Sequence, residues 1–459
     1  MSFTSWQFAV FAVIVFAVYY LPPVRNFQVQ WLVFASLIFY GYGQPELLPL
    51  LAVAVLGSYF FLLLAFERRA LWLPAGIGFN LALLAFFKYK FLFIDPSSPA
   101  YTGFAPFDFL LRLPLPIGIS FFVFHNISLL VDLTRARQSR PGLTGVFLYI
   151  IFFPQLISGP ITRAEMFMPQ IRPKYLADVE FVVAAKWIVT GLFFKLYVAN
   201  NLNAMTVQMD YPLYQLLNPA DRWTLLILYS AQIYADFFGY SSIALGLGLL
   251  FGYRLPVNFN LPYISRSFSE FWTRWHMSLS NWLRTYLYIP LGGNRHGRMR
   301  TYLNLMIVMG LGGLWHGAAL GYLAWGLLHG LLLAAERPLL PILERWSRAP
   351  AVGPAFGGCR ALFVFVCVSF AWIFFKLPNL DHAISFASGM FTDQSIGASA
   401  KIYRSQVLIY VLPVLLQHMV PWPALEPSLR RVQPFLYGTM AALALVDAGA
   451  DTAFIYFQF

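Results

Sequence analysis

The chain is poor in charge. Only 11% of its 459 residues are Asp, Glu, Lys or Arg, against about 25% in soluble globular domains. That is too few to clothe a water-facing surface, which excludes an ordinary soluble fold. Cysteine is almost missing. Cys359 and Cys367 lie eight apart on an apolar segment, with neither zinc spacing nor a disulfide framework. They read as packing residues, and no metal is expected. Acidic residues are the scarcer sign, 19 against 31 basic, for a formal charge of +12. A nucleic-acid binder needs a soluble basic patch with interleaved aromatics. No such segment exists here, so no nucleic-acid partner is expected. There is no P-loop and no Gly-x-Ser-x-Gly elbow, and no internal repeat of transporter type, low-complexity tract or separate soluble domain. The apolar stretch 8–21 lacks a basic leader region and a small-residue cleavage site. It reads as a retained first span and not as a signal peptide.

What is present is apolar. Hydrophobic residues make up 59% of the chain and the mean hydropathy is +0.65, as in a polytopic membrane protein. Aromatics reach 18%, too many for interfacial belts alone, so rings must also pack between helices. Candidate spans are 6–21, 28–42, 46–66, 71–87, 114–133, 145–158, 180–205, 223–252, 301–314, 318–335, 360–376, 405–421 and 434–448. The segment 145–158 is short enough to be re-entrant, and about 11 full crossings are expected. Basic groups flank spans at Glu67-Arg68-Arg69, Lys88-Tyr89-Lys90 and Arg135-Ala136-Arg137. Seven arginines cluster between Arg254 and Arg300, which assigns that stretch to the cytoplasm.

Within this apolar background, His316 stands out. It lies in Gly310-Leu311-Gly312-Gly313-Leu314-Trp315-His316-Gly317, inside an apolar run from about 302 to 335. One span takes about 20 residues, so the run holds two. Glycines on both sides predict a helix break at His316. Irregular backbone at that depth is tolerated only where protein buries it or water reaches it. A histidine there either hydrogen-bonds a neighbouring helix or performs chemistry, and the local pattern leaves both open.

The segment 267–289 has its own pattern. Ser267-Phe268-Ser269-Glu270 has capping-box spacing, so a helix should start there. At 100° per residue, Phe268, Phe271, Trp272, Trp275, Leu279, Trp282, Leu283 and Tyr286 share one face, with Glu270, Arg274, Asn281 and Arg284 elsewhere. This predicts an amphipathic interfacial helix with His276 at the edge of its apolar face. His276 and His316 each follow a tryptophan, Trp275 and Trp315. One histidine per motif, with no carboxylates at ligand spacing, suits a general base better than a metal ligand. His125 and His329 also fall in apolar segments and read as hydrogen-bonded structural residues.

These motifs resemble the membrane-bound O-acyltransferase family, in the bacterial branch of the alginate O-acetylation and teichoic-acid D-alanylation proteins. The resemblance rests on Phe271-Trp272-Thr273-Arg274-Trp275-His276-Met277-Ser278-Leu279-Ser280, continuing from Trp282 through Tyr288-Ile289-Pro290-Leu291-Gly292-Gly293. It rests also on Gly313-Leu314-Trp315-His316-Gly317 and Trp325-Gly326-Leu327-Leu328-His329-Gly330. Upstream, Pro154-Gln155-Leu156-Ile157-Ser158-Gly159-Pro160-Ile161, Asp236-Phe237-Phe238-Gly239-Tyr240-Ser241 and Asn258-Phe259-Asn260-Leu261-Pro262-Tyr263 fit as well. It covers residues from about 114 to 376.

The resemblance implies an all-α polytopic membrane protein, a ring of about 11 transmembrane helices plus re-entrant and amphipathic helices around a central funnel. It implies one domain over 1–459, with N-terminal helices in 1–110, a catalytic core in 114–336 and C-terminal helices in 355–459. His316 maps to the family's catalytic histidine. His276 maps to its second polar position, with Asn281 as rival. Trp315, Trp275, Arg274, Asp236 and Tyr240 join Asn281 as expected substrate-side residues, although Asp236, Tyr240 and Arg274 also fit a purely structural role. The implied protein is a multi-pass acyltransferase of the bacterial cytoplasmic (inner) membrane, in contact with membrane lipid and with no bound cofactor. It takes an acyl group, acetyl by expectation, from acetyl-coenzyme A or an acyl carrier protein. A periplasmic acetyltransferase partner then serves an extracytoplasmic polysaccharide such as alginate or cellulose. D-alanyl transfer to teichoic acid is the alternative. A transporter would want intramembrane acidic residues, which are sparse, and a scaffold of an export complex would need no catalytic histidine.

Overall fold

The computed structural model describes residues 1–92, 105–136, 140–157, 159–349, 353–392, 404–420, 431–450 and 454. Arg137 and Ser158, named above, lie outside them. Among the described residues there is helix and no strand, so the all-α expectation holds. Among the described residues, five helices are long and apolar enough to cross a membrane: Pro45–Glu67, Arg69–Tyr89, Phe181–Met209, Pro219–Leu250 and Gly353–Lys376. The number rises to seven if two sharply bent pairs each make one span. These are Trp6–Tyr19 with Pro22–Gly41, bent by 97°, and Leu320–Glu336 with Leu340–Ser347, bent by 68°. Where the sequence reads as re-entrant, the chain forms two short helices, Leu143–Ile151 and Phe153–Leu156.

The described chain divides into two compact units. The first comprises residues 1–188 and 241–256. Its helices carry almost no charge, so a few amides tie them together. The Asn80 side chain donates to Ser58 Oγ at 2.9 Å and to the Gly76 carbonyl at 3.0 Å, and the Asn126 amide donates to Asn80 Oδ1 at 2.9 Å. Three helices, Leu48–Glu67, Arg69–Tyr89 and Ile119–Ala136, thus share one buried network. In an apolar solvent each such bond contributes roughly 0.6 kcal/mol. His125 is part of this structural polar chemistry. Its Nε2 accepts the Thr162 amide at 3.2 Å, and its ring lies 5.4 Å from Tyr149.

The second unit comprises residues 189–240 and 257–459. At its centre, Gly297–His316 and Leu320–Glu336 run back along each other. Their approach requires glycine. A Cβ on Gly313 would lie 2.2 Å from the Tyr322 carbonyl oxygen, and one on Gly326 would lie 2.2 Å from that of Met309. Small residues let backbones touch in a membrane, where packing must replace the hydrophobic effect. The first helix ends at His316, and Gly317 continues in extended backbone before the next helix starts at Leu320. The long apolar run is therefore two helices with the histidine at the turn.

Candidate active site

The segment around His276 departs from the periodicity. Ser267 caps the first helix, Phe268–Arg274, by accepting the Glu270 amide at 2.9 Å, as the spacing predicts. The Glu270 carboxylate turns back to the Arg266 amide at 2.8 Å. A second carboxylate, Glu336, accepts the Phe268 amide at 2.9 Å and the Ser269 amide at 3.3 Å. It places negative charge at the positive end of the helix and locks that end to Leu320–Glu336. The helix stops at Arg274 instead of running on to 289. His276 adopts the left-handed conformation, φ 42° and ψ 52°, and a new helix, Met277–Leu283, begins.

The amphipathic pattern misses this break because its cause is distant in sequence. The Asn260 amide donates to the Arg274 carbonyl at 2.9 Å, and the Met277 amide donates to the Asn258 carbonyl at 2.9 Å. Asn258 Oδ1 also accepts the Ser278 hydroxyl at 2.6 Å and the Ser278 amide at 3.3 Å. The segment 258–260 thus satisfies the orphan groups of both helix ends. These bonds offset a left-handed conformation that costs a non-glycine residue about 1–2 kcal/mol. Such strain collects at functional sites.

His276 is buried, edge-on to Phe237 at 4.6 Å and 6.2 Å from Trp315. His316 is buried too, with rings around it: Trp315 at 4.9 Å, Phe375 at 5.0 Å and Trp325 at 5.1 Å. The Trp315 indole therefore touches both histidines. His316 lines a cavity of about 120 Å³ together with Trp272, Leu283, Met309, Gly312 and Trp325. Arg284 and Tyr288, on the π-helical turn Arg284–Tyr288, also reach this cavity. Its wall is thus mainly apolar, with an imidazole, a guanidinium and the Tyr288 phenol as its ionisable groups.

The remaining expected residues separate. Phe237 brings the Pro219–Leu250 helix against His276. Its neighbour Asp236 pairs with Lys195 at 2.7 Å, both buried. Tyr240 stacks on Phe454 at 4.3 Å. Arg274 binds Glu270 at 2.9 Å and the Asn260 carbonyl at 3.0 Å. Trp275 packs against Trp372 at 4.9 Å and Phe259 at 5.0 Å. Asn281 is exposed. Among the described residues, no three His, Cys, Asp or Glu side chains gather as metal ligands would. Sequence reasoning passed over Trp272, Trp325 and the Lys195 partner of Asp236. The first two stand inside quoted motifs. Lys195, a cation inside an apolar run, was the available signal for the third.

A helical membrane protein with two buried histidines around one tryptophan, beside a small apolar cavity, defines a narrow class. The membrane-bound O-acyltransferase family model matches residues 34–375, and the chain belongs to that family, as an O-acyltransferase. It is 37% identical over 403 residues to the probable alginate O-acetylase AlgI of Pseudomonas putida, covering 85% of this chain and 80% of that protein. It is 35% identical over 397 residues to the peptidoglycan O-acetyltransferase of Helicobacter pylori, covering 79% and 74%. The teichoic acid D-alanyltransferase of Bacillus subtilis is 28% identical over 285 residues, covering 58% and 70%.

Proposed function

We propose that the chain takes an acetyl group from a cytosolic thioester and delivers it toward an extracytoplasmic polysaccharide, with His316 as general base. The observation that carries this reading is the placement of His316: buried, at a helix end, on the wall of a cavity. An acceptor hydroxyl is a weak nucleophile. An imidazole within hydrogen-bond reach takes its proton as attack proceeds, a contribution of typically 10²–10⁴-fold. The cavity favours a short acyl group. An apolar cavity of about 150 Å³ accepts a benzene ring, and this one is about 120 Å³. His276, held one tryptophan away, polarises or positions the donor or acceptor. The donor is acetyl-coenzyme A or an acylated carrier protein, and the setting is the bacterial cytoplasmic membrane. A periplasmic acetyltransferase completes delivery to the polymer. The acetyl reading rests on relatives named as O-acetylases that align over more of the chain, at higher identity, than the D-alanyltransferase does.

The test is donor cleavage. The purified chain in nanodiscs is expected to release free thiol from acetyl-coenzyme A or an acetylated carrier protein when an acceptor is present. Release from a D-alanyl carrier protein alone moves the assignment to teichoic acid. Release from none of these donors overturns the donor assignment.

The donor side predicts topology. The seven arginines between Arg254 and Arg300 assign the segment 295–300, which ends in the first turn of the helix Gly297–His316, to the cytoplasm. Gly297 is a poor probe site because its φ of +81° strains any side chain; Met299 is 81% exposed. With Cys359 and Cys367 replaced by serine, Met299→Cys should resist an impermeant thiol reagent in intact cells and react after permeabilisation. Labelling in intact cells reverses the orientation.

A further inference from the structure

Beside His316 lies a group of ring nitrogens that no role described above uses. Trp272 and Trp325 line the cavity with His316. Their rings are 5.8 Å apart, and His329 packs edge-on to both, at 5.1 Å and 4.9 Å. His329 is completely buried and lies 6.1 Å from Phe271 in a parallel stack. Among the described residues, Trp272 Nε1, Trp325 Nε1 and both ring nitrogens of His329 are buried without a hydrogen-bond partner. One such buried group costs about 1–3 kcal/mol, and native proteins keep few. Two of them belong to indoles on the cavity wall, Trp272 and Trp325, with His329 packed behind, and these two call for a ligand. Neither ring nitrogen of His329 is partnered, whereas His125 Nε2 accepts the Thr162 amide.

The chemistry of the nitrogens selects the ligand. An indole N–H only donates, and a carbonyl oxygen has two lone pairs to receive two donors. We infer that Trp272 and Trp325 form an acyl-oxygen subsite, donating their indole N–H groups to the carbonyl oxygen of the group being transferred. This deepens the acyl-transfer reading and rests on it. In the step, the acceptor oxygen bonds to the acyl carbon while its proton passes to His316. The carbonyl π pair moves onto the carbonyl oxygen, which becomes an oxyanion. On collapse that pair re-forms the C=O bond, the C–S bond breaks, and the thiolate leaves with the proton from His316. The indole donors matter most while the oxygen is charged, in an apolar wall where a preorganised donor counts for more than in water.

The experiment uses the full chain in nanodiscs with acetyl-coenzyme A and the two conservative variants Trp272→Phe and Trp325→Phe. Each keeps a large ring and loses the donor. The double variant is expected to lose about 10²-fold in kcat, the scale of removing an oxyanion donor, with a much smaller rise in KM for the thioester. A double variant with wild-type kcat overturns the subsite. Wild-type protein that cleaves no thioester overturns the acyl-transfer reading instead, so the two failures are distinct. Binding provides a readout free of turnover. A ketone analogue of acetyl-coenzyme A, with CH2 in place of sulfur, keeps the carbonyl. An S-ethyl analogue lacks it. Wild type should prefer the ketone, and the better-folded single variant should lose that preference. Equal preference in both proteins overturns the proposal.

Discussion

His316→Ala is expected to lower acyl transfer by at least ~10²-fold, the lower end of what a general base contributes, in a protein that still folds and inserts. The fold should survive because His316 is the last residue of its helix and the following turn is held by other contacts. Gly313 and Gly326 keep the helix pair in register through backbone contact. Trp315, Trp325 and Phe375 still surround the vacated space. The truncation enlarges an existing cavity, so the stability cost is of the large-to-small kind, about 2–5 kcal/mol at most. Size-exclusion profile and membrane yield check folding, and thioester cleavage by the purified variant checks chemistry. Wild-type turnover in a folded His316→Ala protein would remove His316 from the reaction.

The sequence carried the class of fold because hydropathy is a one-dimensional signal. Few charges and long apolar runs imply helices in a membrane whatever the topology. The end of a helix near His316 was legible from length, because the apolar run is too long for one span; the glycines before it lie inside the helix and serve its packing. The break at His276 was not legible. Phe268 through Tyr286 keeps a helical period across it, and the hydrogen bonds that impose it come from Asn258 and Asn260, about 14 to 20 residues upstream of their partners. The same limit explains the other gaps. Asp236 draws attention as an acid in an apolar helix, but its Lys195 partner is 41 positions away. Trp272 reads as one more aromatic on an apolar face. Trp372 touches Trp325 and His329 as well; what marks Trp272 is its place on the cavity wall with His316 and Trp325, which the fold alone sets. Asn281 already falls off the apolar face in the helical period, and it is exposed.

That break also sharpens the division of work between the two histidines. His276→Asn should retain measurable activity, whereas His316→Asn should retain none. An amide replaces a hydrogen-bonding imidazole but takes no proton at neutral pH. Backbone conformation adds an independent reason. Asn is among the few residues that enter the left-handed region readily, so His276→Asn preserves the junction between Phe268–Arg274 and Met277–Leu283. Two further variants separate backbone from side chain. Glycine adopts the left-handed conformation without strain, so His276→Gly keeps the turn and removes the ring that faces Phe237 and Trp315. It should fold and turn over more slowly than His276→Asn. His276→Val places a β-branched residue where it is a genuine outlier and should lose folded protein before it loses chemistry. Thioester cleavage per folded molecule, with thermal unfolding of each variant, measures both effects. A His276→Gly protein as active as wild type reduces His276 to a backbone hinge. A dead His276→Asn beside an active His316→Asn exchanges their roles and makes the strained histidine the base.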